Sequence, residues 1–365
     1  MRVLRVAQNL YPEVPGGGTY HVHALSRDQA ARGHDVTVLT VSNDESLPRR
    51  ERRDGYTVVR CRPVASVLGN EMSVAMARAL RRAENYDVVH AHSHLYFSTN
   101  LASVRRRFGS VPLAITNHGL YSQTAPRWLF DVYLRSLGRW TFNRADTVFC
   151  YTDIDERRLR EYGVTAPIAV VPNGIDTTRF SPDGLDSDRL TTGDPTVLFV
   201  GRLVEGKRPA DAVRALAALR ERRPDAQLYV CGDGQLRSQL TQQVTDAGLS
   251  EAVTFLGHVP YDEMPALYRS ADALVLTSES EGLPRTVLEA MASETPVVTS
   301  SLPQLVDIVD GAGKTVQTGS IGEFAEALEA VTTKSGYGET GRNRVVAEYD
   351  WASTVADVTD RLESL

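Results

Sequence analysis

The sequence predicts an α/β protein made of two doubly wound domains, each with a parallel sheet between layers of helices. Two series of short apolar runs alternate with amphipathic segments of about 10–15 residues, which is typical of strands joined by crossover helices. The apolar runs are continuous rather than alternating, which indicates strands buried on both faces. The second series begins after a polar segment at 176–195, so we expect one sheet in each half of the chain.

The first series predicts strands at 3–7, 36–41, 88–91, 113–116, 147–150 and 168–171. The second predicts strands at 197–200, 228–230, 253–256, 273–276 and 296–299. The segment 176–195 is rich in Gly, Pro, Asp, Ser and Thr, which break both periodicities, and we interpret it as a linker. We assign residues 1–172 to a first domain and 173–349 to a second, followed by a helix at about 350–365.

Chemically distinctive residues follow directly after several predicted strands. They are the glycine loop at 15–18, His118, Gly201-Arg202, Gly232-Asp233-Gly234 and Glu281. Open parallel sheets bind ligands beyond the carboxyl ends of their strands. Two such domains facing one another are therefore expected to hold a ligand in a cleft.

The composition is that of a soluble globular protein. Of the 365 residues, 42% are hydrophobic and 24% are charged, which excludes a disordered chain. No apolar run approaches the roughly eighteen residues that span a bilayer, and the N-terminal run ends at Gln8, too early for a secretory signal. Cys61, Cys150 and Cys231 lie far apart, which favours buried free thiols. We expect a cytoplasmic protein, with association to a membrane left open.

Charge is divided unevenly along the chain. The net charge of −6 combines +7 over residues 1–172, with 23 Arg and 16 acidic residues, and −13 over residues 173–365, with 17 basic and 30 acidic residues. An anionic partner such as a phospholipid surface would therefore meet the first half. The segments 74–82 and 127–140 mix Arg with apolar side chains, which fits either a membrane contact or core packing beneath a solvated cationic face. We expect no nucleic-acid partner.

Two carboxylates stand eight positions apart, at Glu281 and Glu289, with a glycine and a proline between them. Eight helical steps of about 100° overshoot two turns by roughly 80°, so both acids could not share one face of a helix. Glu281 is therefore placed before a helix that starts at Pro284, and Glu289 about one turn inside it. The amides of such a helix start can bind phosphate, with an acid on each side for hydroxyl groups, which is the chemistry of a nucleotide sugar.

The Glu281/Glu289 spacing resembles the Glu-x7-Glu signature of the retaining glycosyltransferases of family 4, which have the two-domain GT-B fold. Further segments resemble family motifs in the expected order and extend the resemblance over nearly the whole chain. They are the loop 15–18, the segments 32–36 and 87–93, Asn117-His118-Gly119, the segment 172–176, and Gly201-Arg202-Leu203 with Lys207. In the family the last helix packs back on the first domain, which 350–365 resembles, although from sequence alone it could equally cap the second domain.

The resemblance implies a donor site in the second domain. Arg202 and Lys207 would stabilise the departing diphosphate with fixed cations, so that no metal is needed. Glu289 would bind the ribose hydroxyls, and Glu281 would face the donor sugar. The other expected donor contacts are Gly17, Gly18, Gly232, Gly234, Gly282, Leu283 and Pro284.

The resemblance also implies that the first domain holds the acceptor. His118 would contact the donor sugar or the acceptor, and it joins Glu281, Arg202 and Lys207 in the expected catalytic set. His92 and Thr19 are the expected acceptor-side residues, although the family often carries an acidic residue where this chain has Thr19. The histidines of this region lack a carboxylate or thiol partner at metal-ligand spacing, so we expect neither a metal nor a cofactor.

The expected reaction is transfer of a hexose, with retention, from a UDP-, GDP- or ADP-sugar to a lipid-linked or other glycan acceptor. Other functions stay open. A glycosidase or phosphorylase would use Glu281 and Glu289 as an acid/base pair, and an epimerase of the same fold would share the nucleotide site. A dinucleotide oxidoreductase would need a Gly-x-Gly-x-x-Gly at the first helix, which is absent from the sequence. A non-catalytic two-lobed binding protein would not turn over a sugar nucleotide.

Overall fold

The computed structural model describes residues 1–67, 69–120, 127–190 and 193–365. The chain folds into two compact units. The first consists of Met1–Asn173 and Ser353–Leu365, and the second of Gly174–Ala352. Each unit has its own parallel sheet and its own buried apolar core.

The strands of the first unit are β1 (Arg2–Val6), β2 (Asp35–Val41), β3 (Arg50–Arg53), β4 (Tyr56–Cys61), β5 (Ala65–Val67), β6 (Asn70–Met72), β7 (Val88–His92), β8 (Leu113–Thr116), β9 (Thr147–Cys150) and β10 (Ile168–Val170). Its helices are α1 (Gly17–Ala31), α2 (Val74–Arg81), α3 (Phe97–Phe108), α4 (Arg127–Tyr133), α5 (Arg139–Phe142) and α6 (Asp153–Glu161). A π-helical turn, Leu134–Gly138, joins α4 to α5.

The main sheet of the first unit has the strand order β10-β9-β8-β7-β1-β2-β4-β3. All neighbours are parallel except β3, which pairs antiparallel with β4 at one edge. Strand β1 lies between β2 and β7, with Val3 paired to both Val36 and Val88. The order therefore reverses between β1 and β7, the position at which such sheets bind ligands.

The strands of the second unit are β11 (Thr196–Val200), β12 (Gln227–Cys231), β13 (Val253–Gly257), β14 (Ala273–Leu276), β15 (Val297–Ser300) and β16 (Gly313–Val316). Its helices are α7 (Pro209–Arg220), α8 (Arg237–Asp246), α9 (Met264–Arg269), α10 (Arg285–Ala292), α11 (Pro303–Val309), α12 (Ile321–Thr333) and α13 (Tyr337–Glu348). The sheet is parallel throughout, in the order β13-β12-β11-β14-β15-β16. Its order reverses between β11 and β14.

The prediction of two doubly wound α/β sheets is confirmed, and every strand predicted from an apolar run is present within one residue of the expected bounds. Two further parallel strands are β4 and β16. Strand β16 lies at an edge of its sheet and reads Gly-Lys-Thr-Val, with Lys314 exposed, so it lacks the continuous apolar run of a strand buried on both faces.

The interpretation of 176–195 as a linker is wrong, because the segment belongs to the second unit. Phe180 is fully buried, and its ring lies 5.6 Å from that of Tyr261 and 5.9 Å from that of Tyr268. The polar side chains satisfy the local backbone instead, since the Asp176 carboxylate accepts hydrogen bonds from the amides of Thr178 and Arg179.

The last helix, α14 (Trp351–Glu363), carries the chain back to the first unit. The Thr354 hydroxyl donates to the Pro172 carbonyl at 3.0 Å, and Gln29 on α1 donates to the Thr359 hydroxyl at 2.9 Å. Val355 and Leu362 are buried. Residues 353–365 therefore pack as part of the first unit.

Candidate active site

In the second unit the polar cluster forms where β11 and β14 end. Thr277, directly after β14, donates its hydroxyl to the carbonyl oxygens of Lys207 at 3.1 Å and Arg208 at 2.8 Å. This pair of hydrogen bonds fixes the helical turn Glu205–Lys207 that follows β11. Arg208 adopts a left-handed conformation with φ of 48° at the junction with α7. The turn therefore presents Lys207 at the reversal of strand order.

Lys207 and Glu281 form an ion pair, with 2.5 Å between Nζ and Oε1. Both side chains are largely buried, with 14% and 4% of their surface exposed. Gln304 on α11 donates to the backbone carbonyl of Glu281 and holds that loop in place. Arg202, by contrast, is exposed after β11. The structure thus joins two of the predicted catalytic residues directly.

Helix α10 begins one residue later than predicted, at Arg285. Pro284 is the residue before the helix and is extended, with ψ of 116°. Proline is compatible with either position because it lacks the amide hydrogen that a first turn leaves unpaired. Glu281, Gly282 and Leu283 lie in the buried loop that precedes the helix. Glu281 therefore stands before the helix and Glu289 inside it.

Glu289 is buried and surrounded by hydrogen-bond donors. Its Oε1 accepts from the Tyr261 hydroxyl at 2.8 Å and its Oε2 from the Tyr268 hydroxyl at 3.0 Å. The guanidinium of Arg285, one helical turn earlier, lies 3.5 Å from Oε1. Burial first, and then the neighbouring Glu289, raise the pKa of Tyr268 well above its ordinary value. No local sequence signal singles out these three partners.

The Gly232-Asp233-Gly234 turn after β12 packs against the backbone of the turn after β11. A Cβ atom on Gly232 would lie 2.0 Å from the Gly201 carbonyl oxygen, and one on Gly234 would lie 2.4 Å from that of Leu203. Both glycines also have positive φ, 136° and 159°. The Leu203 amide donates to the Asp233 carbonyl at 2.9 Å. These glycines are therefore required by backbone packing, whatever they contact in a ligand.

The polar cluster of the first unit consists of histidine and tyrosine rings. His118 follows β8, and its Nε2 lies 3.1 Å from Nδ1 of His92 while its Nδ1 lies 2.7 Å from the Tyr151 hydroxyl. The His21 ring meets the His118 ring edge-on at 5.4 Å, and its Nδ1 lies 2.8 Å from Oδ1 of Asn173. The structure therefore gathers three aromatic side chains, those of His21, His92 and Tyr151, around the imidazole of His118.

This cluster is built to stay uncharged. Burial lowers the pKa of His118 to about 4, and burial followed by the neighbouring His90 lowers that of His92 well below its ordinary value. Nδ1 of His90 lies 3.5 Å from the Arg5 guanidinium, and its Nε2 lies 2.7 Å from the Thr116 hydroxyl. His92, predicted on the acceptor side, is buried behind His118.

The glycine loop contributes a close approach to His118. Gly17 is the first residue of α1, and a Cβ atom on Gly18 would lie 3.5 Å from Nδ1 of His118, an ordinary contact distance. The Thr19 hydroxyl donates within the loop, to the carbonyl oxygens of Val14 at 2.6 Å and Gly16 at 2.8 Å. The hydroxyl of Thr19, which was predicted on the acceptor side, thus stabilises the conformation of the loop.

Among the residues that the structure describes, no group of three or more His, Cys, Asp or Glu side chains is arranged to hold a metal ion. Within the same ranges, none of the helices combines the length and the apolar character that crossing a bilayer requires.

Comparison with known proteins agrees with this architecture. Residues 15–179 match the family described as Glycosyltransferase Family 4, and residues 186–344 match Glycosyl transferases group 1. The chain is 30% identical to glycogen synthase of Mycobacterium tuberculosis, over 98% of this chain and 93% of that protein. It is 31% identical to D-inositol 3-phosphate glycosyltransferase of Nocardia farcinica, over 87% and 77% of the two chains.

Solved structures share the fold over the full length. Sucrose-phosphate synthase from Thermosynechococcus elongatus has a TM-score of 0.85 at 20% identity and covers 100% of this chain and 98% of its own. Anabaena Alr3699/HepE in complex with UDP-glucose has a TM-score of 0.80 at 20% identity and covers 100% of both chains. The fold is therefore GT-B, and the class of protein is a hexosyltransferase. The chain belongs to glycosyltransferase family 4.

Proposed function

We propose that this enzyme transfers a hexose, with retention of configuration and without a metal ion, from a nucleoside-diphosphate sugar to a glycan or lipid-linked acceptor. The observation that carries the proposal is the cluster beside β11 and β14, where Lys207, Glu281 and the start of α10 lie together. A cation at a strand end beside a helix N-terminus suits a diphosphate. Arg202 would add a second cation after β11.

The names of similar proteins support the donor class. One relative from Mycolicibacterium smegmatis is described as GDP-mannose-dependent, and Alr3699/HepE was crystallised with UDP-glucose. A fixed ammonium and guanidinium can stabilise charge on a leaving diphosphate without a metal. In the proposed reaction the acceptor oxygen attacks the sugar on the face that the diphosphate leaves, and the leaving oxygen takes the proton. His118 would contact the donor sugar or the acceptor from the first unit.

The glycosidase alternative fits the structure less well. A glycosidase needs one of its two carboxyl groups to donate a proton to the leaving group. Here Glu289 accepts from two tyrosine hydroxyls, and Glu281 faces an ammonium. Both acids therefore act as acceptors in the described contacts.

The test begins with the thermal unfolding of the protein in the presence of UDP, GDP, ADP and their hexose conjugates. A ligand at 100 times its Kd adds about 2.7 kcal/mol to the free energy of unfolding, which is a readily measured shift. The nucleotide sugar that stabilises the protein is then supplied with candidate acceptors and EDTA. NMR of the product reports the anomeric configuration. Inversion, or loss of turnover in EDTA, would contradict the proposal, and conversion of the donor to its epimer would favour an epimerase.

The proposal includes a membrane-facing surface on the first unit. Helices α3 and α4 expose large apolar side chains, Phe108 at 80% on α3 and Trp128 at 68% and Val132 at 57% on α4. Arginines accompany them, with the Arg107 guanidinium 6.0 Å from the Phe108 ring centre and that of Arg144 5.5 Å from Trp140. Aromatic and aliphatic groups mixed with arginine suit an anionic bilayer surface.

We expect the protein to sediment with vesicles containing anionic phospholipid at low salt and to be released at high salt. Replacing Phe108 and Trp128 by Ser should abolish sedimentation, whereas Leu185→Ser, at a residue 86% exposed in the second unit, should not. Equal sedimentation of the two variants would remove the membrane from the proposal and leave the glycosyl transfer untouched.

A further inference from the structure

Three side chains that the sequence motifs do not mark hold Glu289 in place. Tyr261 follows β13, Tyr268 lies on α9, and Arg285 is the first residue of α10. Each contributes a polar atom within 3.5 Å of the Glu289 carboxylate. Their positions in three different elements mean that the carboxylate is held from several sides.

The direction of each hydrogen bond is fixed by chemistry. Arg285 Nη2 lies 3.0 Å from the Tyr261 hydroxyl oxygen and, as a guanidinium, can only donate. The Tyr261 hydroxyl therefore accepts from Arg285 and gives its single proton to Glu289 Oε1. The Tyr268 hydroxyl gives its proton to Oε2. Each carboxylate oxygen thus receives one phenol.

The Glu289 carboxylate can accept more hydrogen bonds than the two phenols donate. A carboxylate has about four lone-pair positions, two on each oxygen. The two phenols occupy one on each oxygen, and the Arg285 Nε at 3.5 Å is an ion-pair contact too long for a normal hydrogen bond. The side chains that the structure describes thus leave one position on each oxygen. Two neighbouring hydroxyl groups of a ligand, such as the 2′ and 3′ hydroxyls of a ribose, match this arrangement.

Both tyrosines are themselves restrained. Tyr268 is fully buried, and its backbone carbonyl accepts from the Thr295 hydroxyl at 2.6 Å. The Tyr261 ring is packed between Phe180, at 5.6 Å, and the Arg179 guanidinium, at 4.5 Å. The phenols therefore reach Glu289 from anchored rings, which limits the rotation of the carboxylate.

We propose that Tyr261 and Tyr268, with Arg285 behind Tyr261, are positioning residues that orient Glu289 toward the ribose diol and set the preference of the enzyme for ribonucleotides over 2′-deoxyribonucleotides. This rests on the proposed function, because it assumes a nucleotide donor beside Glu289. Tyr261→Phe removes the proton given to Oε1 and releases Arg285 Nη2 from the hydroxyl. The carboxylate then keeps the bond from Tyr268 to Oε2 but loses the one that fixes Oε1, so it can rotate away from the ribose hydroxyls.

The experiment measures the binding of UDP, GDP and ADP and of their 2′-deoxy counterparts by titration calorimetry. The proteins are the wild type, Tyr261→Phe, Tyr268→Phe and the matched control Tyr337→Phe, whose ring lies by Lys314 and Lys334. A site built to bond a hydroxyl discriminates strongly against a ligand that lacks it. We expect the wild type and Tyr337→Phe to prefer the ribonucleotide by about tenfold or more, and the preference to fall to about threefold or less in Tyr261→Phe.

Thermal unfolding of each variant shows whether it is folded, and Tyr268→Phe should change the preference in the same direction as Tyr261→Phe. An unchanged preference in folded Tyr261→Phe overturns the inference while leaving nucleotide binding intact. Failure of the wild type to bind any of the three ribonucleotides overturns the proposed function, and the inference with it.

Discussion

The two units place polar clusters at the carboxyl ends of sheets with the same kind of strand reversal, yet they build them from opposite chemistry. The cluster of the first unit contains His92, His118 and Tyr151 in mutual contact, and burial favours the uncharged rings. The cluster of the second unit is charged, with Lys207 paired to Glu281. A neutral surface suits sugar hydroxyls, whereas fixed charges suit a diphosphate. The shared topology thus provides two positions, and the side chains decide what each one binds.

The glycines of the two units differ in the same way. In the second unit Gly232 and Gly234 lie where a side chain would collide with the backbone of Gly201 and Leu203. In the first unit Gly18 faces the edge of His118 at a distance that leaves room for a methyl group. The Gly232-Asp233-Gly234 turn is therefore needed for folding. The absence of a side chain at Gly18 instead leaves space beside the His118 ring.

Substitutions in the charged cluster of the second unit should reduce activity most. Glu281→Gln and Lys207→Met should each lower kcat by about 10²–10³-fold, because each removes a group that is fixed before charge develops on the diphosphate. The matched control is Glu279→Gln, at an acid two positions away that pairs with Arg208. Steady-state kinetics with the donor found by thermal unfolding measures the change. Rates within threefold of the wild type in either variant would contradict the assigned roles.

The glycine comparison predicts the next effect. Gly232→Ala should lower the free energy of unfolding by about 3 kcal/mol or more, because its Cβ atom would meet the Gly201 carbonyl oxygen and its φ is positive. Gly248→Ala, where φ is 68° and no atom of the described residues lies within 4 Å of the added Cβ, should cost about 1 kcal/mol. Gly18→Ala should be neutral or slightly stabilising, since it lies in the first turn of α1. Urea unfolding of the three variants decides, and similar losses at all three positions would refute the distinction.

Substitution of His118 in the first unit should change kcat without changing the affinity for the nucleotide. His118→Asn should lower kcat by about 10–100-fold, the range typical of a lost polar contact to the reacting groups. Nucleoside diphosphate affinity should stay within about twofold of the wild type, because Arg202, Lys207 and Glu289, the proposed contacts to the diphosphate and the ribose, lie in the second unit. His34→Gln, at a histidine beside the N-terminal amine, serves as the control. A parallel loss of nucleotide affinity in His118→Asn would show that the two clusters do not have separate roles.

The buried histidines of the first unit also predict a pH dependence of stability. Burial lowers the pKa of His118 to about 4 and that of His94 to about 3, whereas an unfolded histidine titrates near 6.5. The unfolded chain therefore binds more protons between these values, so the stability contributed by neutral histidines is complete above pH 6.5 and is lost as the pH falls toward the folded pKa. Each contributes up to about 1.4 kcal/mol per pH unit. Urea unfolding between pH 7.5 and 5 should show this slope, and His94→Gln should flatten it. A slope of opposite sign would mean that the rings are charged in the folded protein.

Much of the fold was readable from local pattern. Continuous apolar runs marked every strand that lies inside the two sheets except β4, whose Thr57 and Arg60 interrupt its apolar residues. The interpretation of 176–195 as a linker was wrong because composition alone was used. The polar residues of this segment satisfy their own backbone, and that composition looks the same in a linker and in a loop packed on a domain.

The candidate site was readable in part. Helix rules placed Glu281 before α10 and Glu289 within it, and both expectations are confirmed. The partners of Glu289 were not readable, because Tyr261 and Tyr268 are common residue types without a motif around them. Only their hydroxyl positions relative to the carboxylate distinguish them from other tyrosines.

Local patterns along the chain were enough to predict the two-sheet architecture, the strand ends that carry polar residues, and the family. They were enough because hydrophobic periodicity and glycine or proline turns act over a few neighbouring positions. The pairing of Lys207 with Glu281, 74 positions away, and the two phenols that bind Glu289 became known from the folded structure. Such contacts depend on how distant segments meet in the folded chain, and no local pattern encodes the distance between two side-chain atoms.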